Sequence, residues 1–316
     1  MDEHRRPFRF GVVGESIRSA DDLIATARRA ERLGYATLTL RDHVVAEPFG
    51  DQLAPLIALA AAAGATSTLG LGTMVLSNDF RHPVVLAKEA ATLDHVSGGR
   101  FELGVGAGWL REEYRRAGMP FDEAGTRVGR LEESLRVLRG LLSGEETAFA
   151  GEHYRVDGLT VFPCPGRRLP IVVGAGSRRM LGIGGRLADT VGVLPRALPD
   201  GMISDEISER LPGTIARKVG RVREAAAGRD VELSMLVSPA FGPDPRAAAA
   251  RTAVLRGWGA SAAELVLDMP SQFVGPPEHM AEQMSARRER YGFSYYLVPD
   301  GHMERFAPVV ESLAGR

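Results

Sequence analysis

Three stretches of the chain carry residue types that can do chemistry. Asp42-His43 follows the β-prone run YATLTL (35–40). An imidazole changes charge near neutral pH, so His43 is a candidate acid/base group. A histidine held structurally by a helix or a carbonyl would look the same in sequence. The second stretch, Gly174-Ala175-Gly176-Ser177, follows LPIVVG (169–174) and opens a helical pattern with Arg178 and Arg179 in its first turn. Two glycines permit a tight turn, and free helix N–H groups with the helix dipole favour a phosphate. An ordinary strand-to-helix turn is the competing reading. The third stretch is Gly104-Val105-Gly106-Ala107-Gly108-Trp109, whose small residues would let a flat ring approach the backbone, with a glycine-rich loop that binds nothing as the competing reading. Neither glycine run is a dinucleotide fingerprint, because the sixth positions are Arg179 and Trp109 rather than glycine.

Other chemistries lack their residues. His4, His82, His95, His153, His279 and His302 show no metal-ligand spacing, and no serine elbow, CxxC pair or phosphate-binding lysine loop occurs. No metal is expected. The single cysteine, Cys164, lies between Pro163 and Pro165; it rules out an intrachain disulfide framework and suits a reducing cytoplasm. Lys+Arg 39 against Asp+Glu 40 leaves a net charge of -1, which gives nucleic acid no electrostatic footing. No run reaches the ~18 apolar residues of a membrane helix, and the start MDEHRRPFRF has no apolar signal core. The expected partner is a small molecule, with no nucleic acid and no membrane, and the expected location is cytoplasmic.

The elements that would position these groups alternate along the chain. Strand-like runs cover 8–13, 35–40, 69–76, 101–105, 169–174, 189–194, 231–241 and 294–299, and helical patterns separate them. Ser19, three residues before Asp22, reads as a helix start, and Gly34 stops that helix. Residues 126–142 present Val128, Leu131, Leu135, Leu138 and Leu142 on one face. The rhythm breaks at 148–166, where a small inserted hairpin near 148–162 is expected before the fifth strand. Eight strand–helix repeats in 316 residues, 44% of them apolar, predict the α/β class and a (β/α)8 (TIM) barrel as one domain over 1–316. In such a barrel the loops after the strands face the active site, which is where all three stretches fall.

Taken in order, these features resemble the luciferase-like monooxygenase superfamily. The most specific segment is GLGTMVLSNDFRHPVVLAKEAATLDHVSGGRFELGVGAGW (70–109), and the match continues through Glu112-Glu113-Tyr114, the 170–177 turn and RERYGFSYYLVPD (288–300). Within it the chain is most similar to the deazaflavin (coenzyme F420)-dependent oxidoreductases, through Asp42-His43 and the GVGAGW turn. The resemblance implies a barrel with an insertion, often a homodimer, that transfers a hydride between the cofactor and an organic substrate. It places Asp42 against the cofactor and His43 toward the substrate as proton donor or acceptor. It also implies a non-proline cis peptide at Met74–Val75, with Ser77 beside the ring or its side chain, while Gly106 joins the cofactor-binding candidates through the small-residue run above. Gly174, Ala175, Gly176 and Ser177 would hold the cofactor phosphate. Trp109 stands where the sugar-phosphate dehydrogenases carry a carboxylate base, and Glu112 where they carry an asparagine. That argues against glucose 6-phosphate and leaves Trp109 and Glu112 as substrate-pocket candidates, with a buried packing role for Trp109 and a solvated helix face for Glu112 as the competing readings. FMN in a reduced-flavin monooxygenase is the alternative, and a catalytically silent barrel is a third.

Overall fold

The computed structural model describes residues 6–198 and 200–316. Eight parallel strands form the centre: Arg9–Gly14, Thr37–Leu40, Gly70–Thr73 continued by Leu76–Ser77, Phe101–Gly106, Ile171–Ala175, Thr190–Val193, Glu232–Leu236 and Phe293–Pro299. Numbered in that order they pair 3-2-1-8-7-6-5-4, and the third strand also pairs with the fourth. That last pairing closes the sheet into a barrel, which meets the sequence expectation.

Local sequence explains the outer helices. Ser19 accepts the Asp22 N–H at 3.1 Å and starts Ala20–Arg32. Proline at the first turn, where no N–H is required, starts Pro55–Ala65, Pro83–Val96, Pro212–Ala226 and Pro277–Tyr291. The helix expected over 126–142 runs over Ala124–Leu141, with Leu131, Leu135, Leu138 and Leu141 buried. Between helices and strands lies the main core, including Phe10, Leu38, Leu71, Phe101, Leu103, Ile171 and Val173, all fully buried. Each such side chain contributes roughly 1.5–3 kcal/mol of burial.

Inside the barrel the side chains form two layers. At the N-terminal end Arg9 pairs with Glu102 at 2.9 Å and with Glu232 at 2.7 Å. Tyr295 donates to Glu102 at 2.6 Å beneath the Arg9 guanidinium. Burial first, and the Glu102 charge second, push the Tyr295 phenol well above its ordinary value. Above this charged layer sit Val13 and Leu297 with Met74 and Leu236, an apolar floor for the barrel mouth.

Two strands depart from the sequence reading. The run 231–241 was expected as one strand, yet it divides between two sheets. Glu232–Leu236 stays in the barrel; Val237 donates to Leu297 O, and the next residue, Ser238, donates to Ser271 O instead. Ser238–Phe241 then pairs in parallel with Gln272–Gly275 as a separate sheet. Pro239 has no N–H to give a central ladder, which suits this two-strand edge. Helices Pro245–Leu255 and Ala263–Asp268 cover that pair around a small cluster of their own. The inserted hairpin is present as Thr147–Ala150 against Arg155–Leu159, antiparallel and outside the barrel sheet.

The third strand is the irregular one. Gly72 stands opposite Glu102 and Leu76 opposite Val105, so four steps on one strand face three on the other. One extra residue makes a β-bulge, and within it the Met74–Val75 peptide is cis, as the resemblance implied. The bulge presses on the fourth strand. Thr73 Oγ1 donates to Gly104 O and accepts from Gly104 N–H, each at 2.8 Å. A Cβ at Gly104 would lie 1.9 Å from the Thr73 carbonyl oxygen.

That approach generates a stability prediction. Gly104→Ala sets a methyl against backbone that cannot rotate away, so it should cost about 3 kcal/mol or more, the upper end of overpacking. Gly125→Ala, where nothing lies within 4 Å of the added carbon, should be neutral or stabilising by up to ~1 kcal/mol. Urea unfolding midpoints of the two variants check the contrast; equal stability would remove the tight contact.

Candidate active site at the barrel mouth

The segments that follow strands two and four converge on His43. Its ring lies 5.0 Å from Phe49 and 5.8 Å from Trp109, centroid to centroid, with Trp109 edge-on. Phe49 and Trp109 also meet edge to face at 6.1 Å, so the two aromatics box the imidazole. Arg41 stacks on Phe49 at 4.3 Å and pairs with Glu15. His43 Nδ1 lies 3.1 Å from Glu113 Oε1, and the same oxygen accepts the Val44 N–H at 2.7 Å. His43 and Glu113 side chains are only 10% and 4% exposed, which keeps water from competing for the contact.

Asp42 is buried beside them. Arg81 grips both of its oxygens, at 2.6 and 3.1 Å, and the Ser77 N–H adds a third bond at 3.1 Å. A carboxylate so held ties the second strand to the bulged third strand and fixes where Ser77 sits. Ser77 Oγ lies 3.2 Å from Tyr114 Oη, which donates to Asp79 at 3.1 Å. Arg130 holds the other Asp79 oxygen at 2.8 Å. Burial leads the forces that raise the Tyr114 phenol above its ordinary value, so it stays a donor at all ordinary pH.

The glycines of the fourth and fifth strands make room for the bulge. A Cβ at Gly106 would lie 2.8 Å from a Val75 methyl, and one at Gly174 would lie 3.5 Å away. Val75 therefore nests between backbones that offer no side chains of their own. Gly108 takes φ 75°, a conformation open to glycine, and an added Cβ there would strike Tyr114 Oη at 1.9 Å. On the fifth strand, Gly174 and Ala175 end the ladder and Ser177 caps Arg178–Leu187, its hydroxyl accepting from Met180 N–H at 3.4 Å. Ser177, Arg178 and Arg179 are exposed, and the first turn holds no acidic residue. This helix end is open to an anion. At Gly176 a side chain is excluded, since its Cβ would meet the Pro195 carbonyl oxygen.

The structure therefore brings Asp42, His43, Met74, Val75, Ser77, Gly106 and Trp109 to one end of neighbouring strands, with Gly174–Ser177 on the next strand round. Glu112 does not join them. It pairs with Arg115 and Arg116, both at 2.6 Å, on the outer face of Arg111–Ala117. Those two guanidinium groups hold its carboxyl at about 2. The carboxylate facing the mouth is its neighbour Glu113, which the sequence reading did not single out. Successive helical residues point ~100° apart, and a two-glutamate run does not say which one faces in. Phe49 was missed as well; it sits in a loop with no periodicity to mark it.

The donor set fits a planar cofactor that carries a phosphate. An apolar floor under the mouth and the nested Val75 suit a flat ring, and the open helix end beside Arg178 suits an anion. Residues 6–290 match the description "Luciferase-like monooxygenase". Over 309 residues, 96% of this chain and 89% of the relative, the sequence is 29% identical to the F420-dependent glucose-6-phosphate dehydrogenase of Microbacterium testaceum. Two solved structures share the fold. The coenzyme F420-dependent tetrahydromethanopterin reductase of Methanopyrus kandleri superposes with a TM-score of 0.74 at 19% identity, covering 98% of this chain and 99% of that one. An F420-dependent secondary alcohol dehydrogenase with a bound F420-acetone adduct does so at 0.76 and 16%, covering 98% of each. Barrel, bulge and match over most of the length agree: the chain belongs to the luciferase-like monooxygenase family.

Proposed function

We propose that this protein is an F420-dependent oxidoreductase that passes a hydride between the deazaflavin and a small organic substrate. The observation that carries the reading is His43, boxed by Phe49 and Trp109 and hydrogen-bonded to buried Glu113 at the strand ends. The sequence relative named above as F420-dependent supports the cofactor class. When bound, the deazaflavin supplies the hydride chemistry, and the protein's share is binding, orientation and the proton. Met74, Val75 and Gly106 would back the ring, with Asp42 holding Ser77 in place beside it. Gly174, Ala175, Gly176 and Ser177 would receive the phosphate at the helix end. His43 would give or take the substrate proton, and Trp109 with Phe49 would wall the substrate and exclude water.

The protein is also proposed to work as a homodimer. Ile57, Ala60, Ala61 and Gly64 are exposed on one face of Pro55–Ala65, beside exposed Val85 and Val96 on the neighbouring helix Pro83–Val96. Ile57 is 76% exposed, an apolar stripe that a second copy would cover. Light scattering should give twice the chain mass, and Ile57→Asp should return it to the monomer mass; a monomeric parent refutes the dimer.

Cofactor binding is tested by fluorescence titration with F420 and with FMN. F420 should bind and FMN should bind more weakly; the reverse order would favour a flavin monooxygenase, and no binding of either a silent barrel. Ser177→Asp keeps a capping side chain but sets a negative charge where the phosphate should sit. Its Kd for F420 should rise on the order of tenfold or more relative to Ser177→Asn, since one helix–anion interaction is worth ~0.3–2 kcal/mol before repulsion is added. Unchanged affinity removes the phosphate from this turn.

His43→Ala separates chemistry from binding. Turnover should fall by ~10²–10⁴, the range for a lost proton-transfer group, with F420 affinity retained. Normal turnover would leave His43 a packing residue.

A further inference from the structure

Glu113 is a buried carboxylate whose role the hydride-transfer reading leaves open. It lies on Arg111–Ala117, is 3% exposed, and turns one oxygen, Oε1, toward the end of the second strand. That oxygen is shared by two neighbours in sequence, the Val44 N–H at 2.7 Å and His43 Nδ1 at 3.1 Å. An ionised carboxylate only accepts hydrogen bonds. The contact with Nδ1 is therefore favourable only when Nδ1 carries the hydrogen.

A neutral imidazole has one N–H and one bare nitrogen, and fixing the first fixes the second. With Nδ1–H turned to Glu113, Nε2 is the nitrogen left for any other partner. Ring rotation would put Cδ2 in place of Nδ1 and break this contact, but Phe49 at 5.0 Å and edge-on Trp109 at 5.8 Å close on the imidazole. The Val44 N–H bond pins the carboxylate against the backbone of the residue next to His43, so acceptor and ring are held in one frame. Asp42, next in sequence on the other side, is held by Arg81 and the Ser77 N–H, which turn its carboxylate to the third strand.

We infer that Glu113 is a positioning residue that holds His43 in the Nδ1–H tautomer and leaves Nε2 as the nitrogen that exchanges a proton with the substrate. This rests on His43 being the proton-exchanging group. In one direction Nε2 accepts the proton released with the hydride; in the other the imidazolium returns it from Nε2. Glu113 gains and loses no proton in either. Its work is orientation, and the charge it places beside the imidazolium.

Nitrogen-15 NMR on the histidine-labelled full chain without cofactor tests the tautomer, with the His43 signals assigned by their loss in His43→Gln. Spectra at about pH 9, above the ordinary histidine range, report the neutral ring. The parent should show protonated Nδ1 and bare Nε2. Glu113→Ala should move His43 toward the Nε2–H form, whereas Glu113→Gln, whose amide oxygen still accepts from Val44 and His43, should keep Nδ1–H. With F420 bound, Glu113→Ala should lower kcat by about 10²–10⁴ with little change in KM, and adding His43→Ala should lower it little further. A parent already in the Nε2–H form overturns the inference, as does a tautomer unmoved in Glu113→Ala or a Glu113→Gln variant that behaves like Glu113→Ala. The spectra need no cofactor, so a tautomer lock in a protein that fails to bind F420 would sink the proposed activity and leave this role of Glu113 standing.

Discussion

The contact on which the rest depends is the backbone approach of Thr73 to Gly104. Two hydrogen bonds through one hydroxyl, both 2.8 Å, hold the third and fourth strands together where their ladder is interrupted. Any side chain at position 104 would occupy the Thr73 carbonyl. The bulge this permits turns Val75 toward Gly106 and Gly174 and brings Ser77 to the carboxylate of Asp42. A regular strand would carry these residues past the mouth in a different phase, because a one-residue slip reverses which face each side chain takes.

Around the mouth nearly every charge is answered by another. Arg81 answers Asp42, Arg130 answers Asp79, Glu15 answers Arg41, and Glu209 answers Lys218 at 2.7 Å. Desolvated charges cost too much to leave unpaired, and removing one partner of such a pair typically costs more than the pair gains. The arrangement fixes geometry more than it adds stability. It leaves His43 with Nδ1 turned to Glu113, and the proposed proton transfer would use the other ring nitrogen. The same logic holds at the other end of the barrel, where Arg9 lies between Glu102 and Glu232 and Thr190 donates to Glu232 at 3.0 Å. That charged layer closes the bottom, while the apolar layer of Val13 and Leu297 isolates it from the mouth.

The family provides the barrel, and the loop residues decide what is done with it. Phe49 and Trp109 make the space over His43 aromatic, and Arg41 is taken up by Glu15 and Phe49. Under the proposed activity, this mouth would surround a small group closely beside one imidazole.

Much of the fold was legible in the chain itself. Alternating apolar runs and capped helices repeat eight times, and burying both faces of eight parallel strands leaves few arrangements other than a closed barrel. Asp42-His43 and the glycine turns could be read for the same reason, since they stand directly after strand-like runs and barrel chemistry sits there. Other features needed the third dimension. Which of Glu112 and Glu113 faces inward depends on the phase of a seven-residue helix, and only packing against His43 and Val44 sets it. The departure of Ser238–Phe241 from the barrel depends on a partner, Gln272–Gly275, more than thirty residues away. The Arg9 layer is assembled from strands one, two, four, six, seven and eight. Sequence periodicity records which residues share a face of one element; it carries no term for contacts between elements, and those contacts decide the site.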